Sequence, residues 1–216
     1  MPYDIIDLSH PIHSGIMVYP GDPLPVMEKT KDFKNDGFRL SRFILSSHTG
    51  THVDAPAHLL EGGKYLDQLP LSNFFGTGKV IECSGKDEID AELILRSLPA
   101  EIPDFILLKT NWDKFWQTDK YFHDFPVLSE EAAEILAGLP VKGIGFDTPS
   151  PDPMNAQVLT KHFLFLSGDK IIIENLTHLD RITEREFLFS CFPVNISQAD
   201  GCPVRACALA ARPQRK

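Results

Sequence analysis

The sequence predicts a mixed α/β domain, and two of its features support this fold class. Short segments with the pattern of strands alternate with short segments with the pattern of helices along the 216 residues. Seventeen prolines and 14 glycines are distributed over the whole chain, which is typical of many short elements joined by defined turns. Because no repeat or long linker divides the chain, we expect one domain over residues 1–211 and a basic tail over residues 212–216.

The first half of the chain contains four predicted strands and one predicted helix. Asp90 is a typical residue to cap the start of the helix, and Pro99 follows its end. The last of the four strands is almost wholly apolar, as expected of a strand that is covered on both faces. The predicted strands are residues 3–8, 37–48, 79–83 and 105–109, and the predicted helix is residues 91–98.

The second half continues the alternation of strands and helices. Ser129 is suited to cap a helix that has acidic residues in its first turn and Gly138 after its end. A loop rich in proline, residues 147–153, follows the next strand. The predicted helices are residues 130–137 and 156–165, the second closed by Gly168, and the predicted strands are residues 141–146, 170–173, 187–194 and 204–209.

The charge of the chain excludes two classes of function. There are 30 acidic and 21 basic side chains, which gives a formal net charge of −9. A protein that binds nucleic acid or docks on an anionic membrane needs a basic surface. No stretch approaches the roughly 18 apolar residues of a membrane-spanning helix, and the first residues lack the pattern of a secretory signal. We therefore expect neither a nucleic-acid partner nor a membrane partner.

The cysteines indicate a reducing compartment. Cys83, Cys191, Cys202 and Cys207 form no CxxC pair, so a zinc site built on thiolates is not expected. Unpaired thiols are usual in a reducing environment. We therefore expect a cytoplasmic protein.

The strongest chemical signal is the occurrence of three histidines and one aspartate within residues 48–58. The threonines, glycine and valine between them disfavour a helix, and the proline that follows would end one. In an extended chain, His48, His52 and Asp54 share one face, and Gly50 leaves space between the two histidines. Two imidazoles and one carboxylate in a common cavity suit zinc or manganese.

Three further residues have plainer interpretations when each is taken by itself. His58 follows a proline that turns the chain, so it can lie near a metal ion without binding it. His162 lies near the end of a predicted helix, where a histidine is compatible with the helix dipole. Glu174 directly follows a predicted strand, and a solvated strand end is its simpler interpretation.

Residues 48–58 resemble the HxGTHxDxPxH signature of the cyclase-like metal-dependent hydrolases, a family that includes the bacterial kynurenine formamidases and the isatin hydrolases. Four other segments resemble further parts of that family, in the same order along the chain. They are DLSHPI and VYPGDP near the start, GFDTPSPDP at residues 145–153, His162 followed by IIIENL at residues 171–176, and ADGCPVRA at residues 199–206. The resemblance extends over nearly the whole chain.

The resemblance implies a swivelling β/β/α domain that assembles as a homodimer or homotetramer. It implies one or two divalent ions per chain, with zinc as the first choice and manganese as the second. The implied ligands of the first ion are His48, His52 and Asp54. In members with two ions, Asp54 would reach both, and His162 and Glu174 would complete the second site.

The same resemblance implies a hydrolase that uses metal-activated water to cleave the amide bond of a small aryl formamide or cyclic amide. His58 corresponds to the acid/base histidine of the family, which would relay a proton to the leaving nitrogen. Tyr19 stands where the formamidases have a tryptophan in the substrate pocket, so the pocket keeps an aromatic wall of a different size.

Two alternatives remain open at the level of the sequence. One is a hydrolase of the same family that opens another ring, such as isatin or a lactone, and the change at Tyr19 motivates it. The other is a protein that binds metal and a small ligand without turning the ligand over. Such a binder has no need of His58, so the presence of that residue favours the enzyme.

The remaining candidates have structural interpretations. We interpret Trp112 and Trp116 as packing or interface residues, and Arg205 as the ion-pair partner of one of the acidic residues. The turn at residues 147–153 either shapes the edge of the site or is purely structural.

Overall fold

A computed structural model describes residues 3–183 and 186–211 of the chain. Its largest element is a nine-stranded mixed sheet, and two two-stranded sheets lie outside it. Among the described residues, the strands are β1 (Tyr3–Asp7), β2 (Val26–Lys31), β3 (Leu40–Ile44), β4 (His52–Asp54), β5 (Phe75–Glu82), β6 (Glu88–Ile89), β7 (Phe105–Lys109), β8 (Val127–Leu128), β9 (Gly143–Phe146), β10 (Ile171–Glu174), β11 (Phe187–Ser190), β12 (Gly201–Pro203) and β13 (Cys207–Ala211). The α-helices are α1 (Phe33–Asp36), α2 (Ala91–Ser97), α3 (Glu130–Gly138) and α4 (Thr160–Ser167). The predicted tail, residues 212–216, lies outside the described residues.

The centre of the large sheet consists of four parallel strands in the order β5, β7, β9, β10. Each connection between two of these neighbours contains one of the helices α2, α3 and α4, as a crossover between parallel strands requires. Antiparallel strands extend the sheet on both sides, with β11, β13 and β1 beside β5, and β4 and β12 beside β10. The predicted mixed α/β fold class is therefore confirmed.

Both faces of β7, β9 and β10, three of the four parallel strands, lie in the protein interior. In β7, Phe105 and Leu107 belong to the core on one face, and Ile106 and Leu108 belong to the core on the other. All four side chains are fully buried, which explains why β7 is apolar throughout instead of alternating with polar residues. Helices α2, α3 and α4 cover the second face with their own apolar side chains.

Helix α4 begins at residue 160, later than the predicted start at residue 156. The carboxylate of Asp152, in the loop before the helix, accepts hydrogen bonds from the backbone N–H groups of Lys161 (3.0 Å) and His162 (3.0 Å). These are N–H groups at a helix start, which no helical carbonyl can reach. The position of Asp152 therefore determines where α4 begins. Asp90 and Ser129 cap the starts of α2 and α3 as predicted, whereas Gly138 is the last residue of α3 and does not follow its end.

Strand β3 ends at Ile44 instead of at residue 48. The chain then makes a turn in which the N–H of Thr49 donates to the carbonyl of Ser46 (3.2 Å), and Gly50 follows with φ +66°. His48 lies within this turn, so the expected continuous extended face is wrong, and only the short strand β4 is extended there. The alternation of residue types does not reveal the turn, which depends on the left-handed backbone conformation that glycine permits.

Strands β2 and β3 form a hairpin that the sequence patterns do not reveal. It pairs Val26 with Ile44 and Met27 with Phe43, and neither strand has a buried residue. Phe43 is 62% exposed and Ile44 is 51% exposed, so apolar side chains of the hairpin face solvent. We call the exposed apolar side chains of this region the hairpin surface, which consists of Val26, Phe33, Phe38, Leu40, Phe43 and Ile44.

Arg205 forms the expected ion pair, since its guanidinium donates to both carboxylate oxygens of Asp7 at 2.8 Å and 2.6 Å. Among the helices that the structure describes, none combines the length and the apolar character needed to cross a bilayer.

Candidate metal centre

Two adjacent antiparallel strands form the base of the candidate site. Strand β4 pairs with β10 so that His52 lies opposite Glu174, and Asp54 lies opposite Ile172. Because alternate side chains of a strand share a face, His52, Asp54 and Glu174 lie on one face of the sheet. Ile172 belongs to the core beneath the helices, so this is the face that α4 covers, and α4 carries His162.

The five predicted ligands lie close together on this face. Glu174 is the buried last residue of β10 and not a solvated strand end. Its Oε1 lies 3.1 Å from Nε2 of His162, and its Oε2 lies 3.2 Å from Nε2 of His52. Oδ1 of Asp54 lies 2.8 Å from Nδ1 of His48 and 3.2 Å from Nε2 of His52. The structure therefore brings together residues from a turn, two strands and a helix.

Several polar atoms at the centre of the cluster are buried without a hydrogen bond. They are both carboxylate oxygens of Asp54, Oε1 of Glu174 and Nε2 of His52. Ligand oxygens of Asp54 and Glu174 lie within 4.8 Å of each other. Two buried carboxylates this close repel each other unless a cation neutralises them. Imidazole nitrogens and carboxylate oxygens are ligands of zinc and manganese. The residues present therefore fit a divalent metal ion.

Each of the three histidines in the cluster pairs one ring nitrogen with an acceptor on the outer side. The acceptors are the carbonyl of Gly50 for Nδ1 of His52 (2.8 Å), the carboxylate of Asp152 for Nδ1 of His162 (2.8 Å) and the carboxylate of Asp200 for Nε2 of His48 (2.9 Å). The other ring nitrogen of each histidine faces the carboxylates of the cluster. An outer acceptor of this kind determines the tautomer of a histidine that binds metal.

The candidate ligands form two groups that share Asp54. The ligand atoms of His48, His52 and Asp54 lie within 4.8 Å of one another, and so do those of Asp54, His162 and Glu174. Oδ1 of Asp54 faces the first group, at 2.8 Å from His48, and Oδ2 lies 3.9 Å from Nε2 of His162 in the second group. The arrangement can accommodate one ion, or two ions with Asp54 between them.

The carboxylates favour the protonated form of the three histidines. Burial lowers the pKa of His52, but Asp54 and Glu174 outweigh it and raise that pKa well above its ordinary value. The same balance between burial and neighbouring carboxylates raises the pKa of His48 and brings the pKa of His162 to about 10. Protons and metal ions compete for the same nitrogen atoms, so metal affinity falls as the pH falls.

His58 has a different environment from the other three histidines. It is the last residue of the 3₁₀ helix Pro56–His58, and its ring centroid lies 4.2 Å from that of His48 and 6.0 Å from that of His162. Burial lowers the pKa of His58 below its ordinary value, and the nearby carboxylate of Asp54 offsets only part of this effect. A neutral imidazole beside the cluster is suited to accept and return a proton.

A cavity of about 250 Å³ opens beside the cluster. Its lining includes His48, His52, His58 and Glu174, together with Tyr19. Apolar and aromatic side chains form much of the remaining wall, namely Met17, Val18, Trp116, Phe122 and Leu159. No lysine or arginine is among the described residues that line it. The cavity is therefore suited to a small aromatic or cyclic molecule.

The sequence patterns missed three residues of this region. Asp152 lies in the loop that was interpreted as a turn, and Asp200 lies in the C-terminal ADG segment, to which no role was assigned. Trp116 packs as expected, with its ring stacked on His10 at 4.0 Å between centroids, but it also lines the cavity. Asp152 and Asp200 could have been found from the sequence, because each is an aspartate in a segment that resembles a family motif.

Relatives of known sequence match most of this chain. A family model described as "Putative cyclase" matches residues 6–153. The kynurenine formamidase of Bordetella avium is 33% identical over 203 residues, which cover 93% of this chain and 95% of the relative. The kynurenine formamidase of Bacillus cytotoxicus is 30% identical over 202 residues with the same coverage.

Two solved structures are similar from end to end. Isatin hydrolase A from Labrenzia aggregata, bound to benzyl benzoate, has a TM-score of 0.84 at 24% identity and covers 98% of this chain and 95% of its own. A structure described as a "Potential Metal-Dependent Hydrolase With Cyclase Activity" has a TM-score of 0.80 at 29% identity and covers 98% of this chain and 100% of its own. The first likeness shows a shared fold.

Metal binding should stabilise the folded protein, because only the fold brings the candidate ligands together. A free metal concentration 100 times the Kd corresponds to a gain of about 2.7 kcal/mol. We expect zinc to raise the midpoint of thermal unfolding of the chelator-treated protein, measured by calorimetry. Asp54→Asn should abolish this gain, because Asp54 belongs to both groups of ligands.

Asp169→Asn is the matched control for this measurement. Asp169 is exposed, pairs with Lys64 at the surface and has φ +57°, a conformation that asparagine tolerates. This variant should keep the full gain on addition of zinc. An equal gain in Asp54→Asn would contradict a metal site centred on Asp54.

Proposed function

The chain belongs to the Cyclase family, and we propose that it hydrolyses a small aryl formamide or cyclic amide with a bound divalent metal ion. It is a metal-dependent hydrolase that acts on carbon–nitrogen bonds other than peptide bonds. The observation that carries the proposal is the buried cluster of two carboxylates and three histidines, each histidine oriented by an outer acceptor. This cluster needs a cation, and it adjoins a cavity and a fourth histidine.

We assign His48, His52 and Asp54 to one ion, and Asp54, His162 and Glu174 to a second ion where one is bound. Zinc is our first choice and manganese our second, because imidazole and carboxylate ligands suit both. When bound, the metal supplies positive charge that makes a water molecule easier to deprotonate and stabilises negative charge on the carbonyl oxygen of the substrate.

His58 moves the proton in the proposed reaction. Its Nδ1 faces Asp200 at 3.4 Å, so Nε2 is the nitrogen that remains for the cavity. Nε2 accepts a proton from the attacking water and donates it to the leaving nitrogen. The carbonyl carbon gains a bond to oxygen, its bond to nitrogen breaks, and the products are a carboxylic acid and an amine.

The aromatic wall of the cavity supports an aryl group in the substrate. Tyr19 packs edge-on against Phe122, with 6.0 Å between the ring centroids, and Trp116 lies on the same lining. Aromatic rings in such arrangements bind a further ring by burial and by edge or offset contacts. The kynurenine formamidases at 33% and 30% identity support a formamide as the group that is cleaved.

One alternative differs from this proposal in the substrate, and the other differs in that no substrate is turned over. A hydrolase of isatin-type rings or lactones would use the same cluster and His58, and Tyr19 is the residue that motivates this alternative. A protein that only binds a metal and a small ligand would use the cluster without His58. The position of His58 beside the cluster supports turnover.

We further propose a cytoplasmic location. The four cysteines are free thiols, and three of them are buried, which supports a protein that works in a reducing compartment. Recovery of the protein from an oxidising compartment on cell fractionation would contradict this proposal.

His58→Ala should lower kcat by about 10²- to 10⁴-fold, the usual contribution of a general acid and base. The variant should keep its bound metal, because His58 is outside both proposed ligand groups. The assay is hydrolysis of a panel of formyl-arylamines, isatin, other cyclic amides and lactones by the metal-loaded protein. Full activity of His58→Ala on a substrate of the wild type would contradict the assigned role, and tight binding without product over hours would favour the binder.

Tyr19→Trp tests whether this position selects the substrate. We expect the larger indole to change kcat/KM for different members of the panel by different factors, because Tyr19 lines the cavity and is not one of the candidate metal ligands. The ratio between formyl-arylamines and cyclic amides is the quantity to measure. An unchanged profile over the whole panel would remove Tyr19 as a determinant of specificity.

We propose that the chain forms a homodimer or homotetramer through the hairpin surface. The hairpin surface exposes six large apolar side chains within residues 26–44, and such a concentration of exposed apolar residues is typical of an interaction surface. Sedimentation velocity should give a multiple of the 24.2 kDa chain mass. Phe43→Asp should shift the protein toward the monomer, whereas Leu95→Asp, on an exposed apolar residue of α2, should not. A monomeric wild-type protein would contradict the proposal.

A further inference from the structure

Asp200 lies between two histidines that have different roles in the proposed reaction. Its Oδ2 is 2.9 Å from Nε2 of His48 and 3.4 Å from Nδ1 of His58. The rings of these histidines are 4.2 Å apart between centroids and tilted by 43°. One carboxylate oxygen therefore contacts both a proposed metal ligand and the proposed acid/base residue.

The backbone holds Asp200 at this place. Strand β12 is the outermost strand beside β4 and pairs Gly201 with Asp54, and the carbonyl of Asp200 accepts a hydrogen bond from the N–H of Ala55 (2.8 Å). A Cβ atom at Gly201 would lie 2.7 Å from Cε1 of His48. Glycine is therefore needed for the backbone to approach the ring this closely. This approach brings the Asp200 carboxylate within reach of both histidines.

The side chains of Asp200, His48 and His58 are also close enough to hold a metal ion. His48 would then have to bind metal through both ring nitrogens, since its Nδ1 already faces Asp54 at 2.8 Å. Binding through both nitrogens requires the imidazole of His48 to lose its remaining N–H proton. A hydrogen bond from Nε2 of His48 to Asp200 requires no such loss, and it leaves Asp200 able to accept a second hydrogen bond from His58.

We propose that Asp200 is a positioning residue that orients His58, an inference that rests on the proposed function of His58. When the ring of His58 carries one proton, a hydrogen bond to Asp200 keeps this proton on Nδ1. The lone pair of Nε2 then faces the cavity and can accept a proton from water. Without Asp200, the proton moves to Nε2, the site that a free imidazole favours, and blocks this step.

The contact between Asp200 and His58, at 3.4 Å, is at the long end for a hydrogen bond. Catalytic hydrogen bonds commonly shorten when substrate is bound. A carboxylate that holds the tautomer and the orientation of a catalytic histidine is a recurrent arrangement in hydrolases. The difference here is that the same carboxylate also orients a proposed metal ligand.

The kinetic test uses the metal-loaded full chain and the aryl formamide that the wild type hydrolyses fastest. Asp200→Asn keeps the shape of the side chain and removes its charge. We expect kcat to fall about 10- to 100-fold. KM and the bound metal per chain should not change, because Asp200 is not part of the cavity lining and the amide oxygen of asparagine can still accept a hydrogen bond from Nε2 of His48. In a His58→Ala background, Asp200→Asn should cause no further loss, since two residues that act through each other are not additive.

Two comparisons separate this role from a general structural effect. Asp200→Glu should recover part of the lost kcat, and the surface variant Asp169→Asn should keep all of it. A wild-type kcat in Asp200→Asn would overturn the proposal. A full additional loss of kcat in the His58→Ala background would also overturn it, because Asp200 would then act independently of His58. A loss of kcat that excess metal reverses would overturn it as well, because the effect would then pass through His48.

A second readout needs no turnover. In ¹⁵N spectra of the histidine rings of the zinc-loaded protein, Nδ1 of His58 should carry the proton in the wild type, and Nε2 should carry it in Asp200→Ala. Unchanged ring signals of His58 would overturn the proposal. If the wild type hydrolyses no member of the amide panel, the proposed function fails, whereas the spectra still decide whether Asp200 orients His58.

Discussion

The pairing of β4 with β10 is the constraint on which the site depends. It places the carboxylates of Asp54 and Glu174 close together in the interior, where unneutralised charges are very costly. Histidines from a turn, a strand and a helix surround these carboxylates, and a metal ion can replace the protons that would otherwise balance the charge. The need for a cation is therefore a property of the folded sheet.

The outer acceptors of the histidines connect this site to the rest of the fold. Asp152 accepts hydrogen bonds from the start of α4 and from the ring of His162, so the same side chain determines where the helix begins and how its histidine is oriented. Asp200 connects the edge strand β12 to His48 in a similar way. The orientation of the candidate ligands therefore depends on the packing of elements that contribute no ligand themselves.

Predictions from the sequence were most accurate for buried elements with a clear local pattern. The apolar run of β7 and the capped helices α2 and α3 lie where they were expected. Strand β3 lies within a predicted strand, but its partner β2 and the turn at His48 were not predicted, because β2 is exposed and lacks a pattern of burial and a turn depends on single φ angles. The five candidate ligands were named from one motif and a family resemblance. The structure brings them together from a turn, two paired strands and a helix, and not along one continuous strand.

The sequence by itself determined the fold class, through its local patterns, and the candidate ligands His48, His52 and Asp54, through their short spacing. Its resemblance to a known family added His162 and Glu174 as candidates. Only the tertiary structure decided which ring nitrogen of each histidine faces the carboxylates, because the acceptor on the other nitrogen comes from a distant part of the chain. For His48 and Asp200 the separation is 152 residues, and only the sheet brings the two side chains within 2.9 Å.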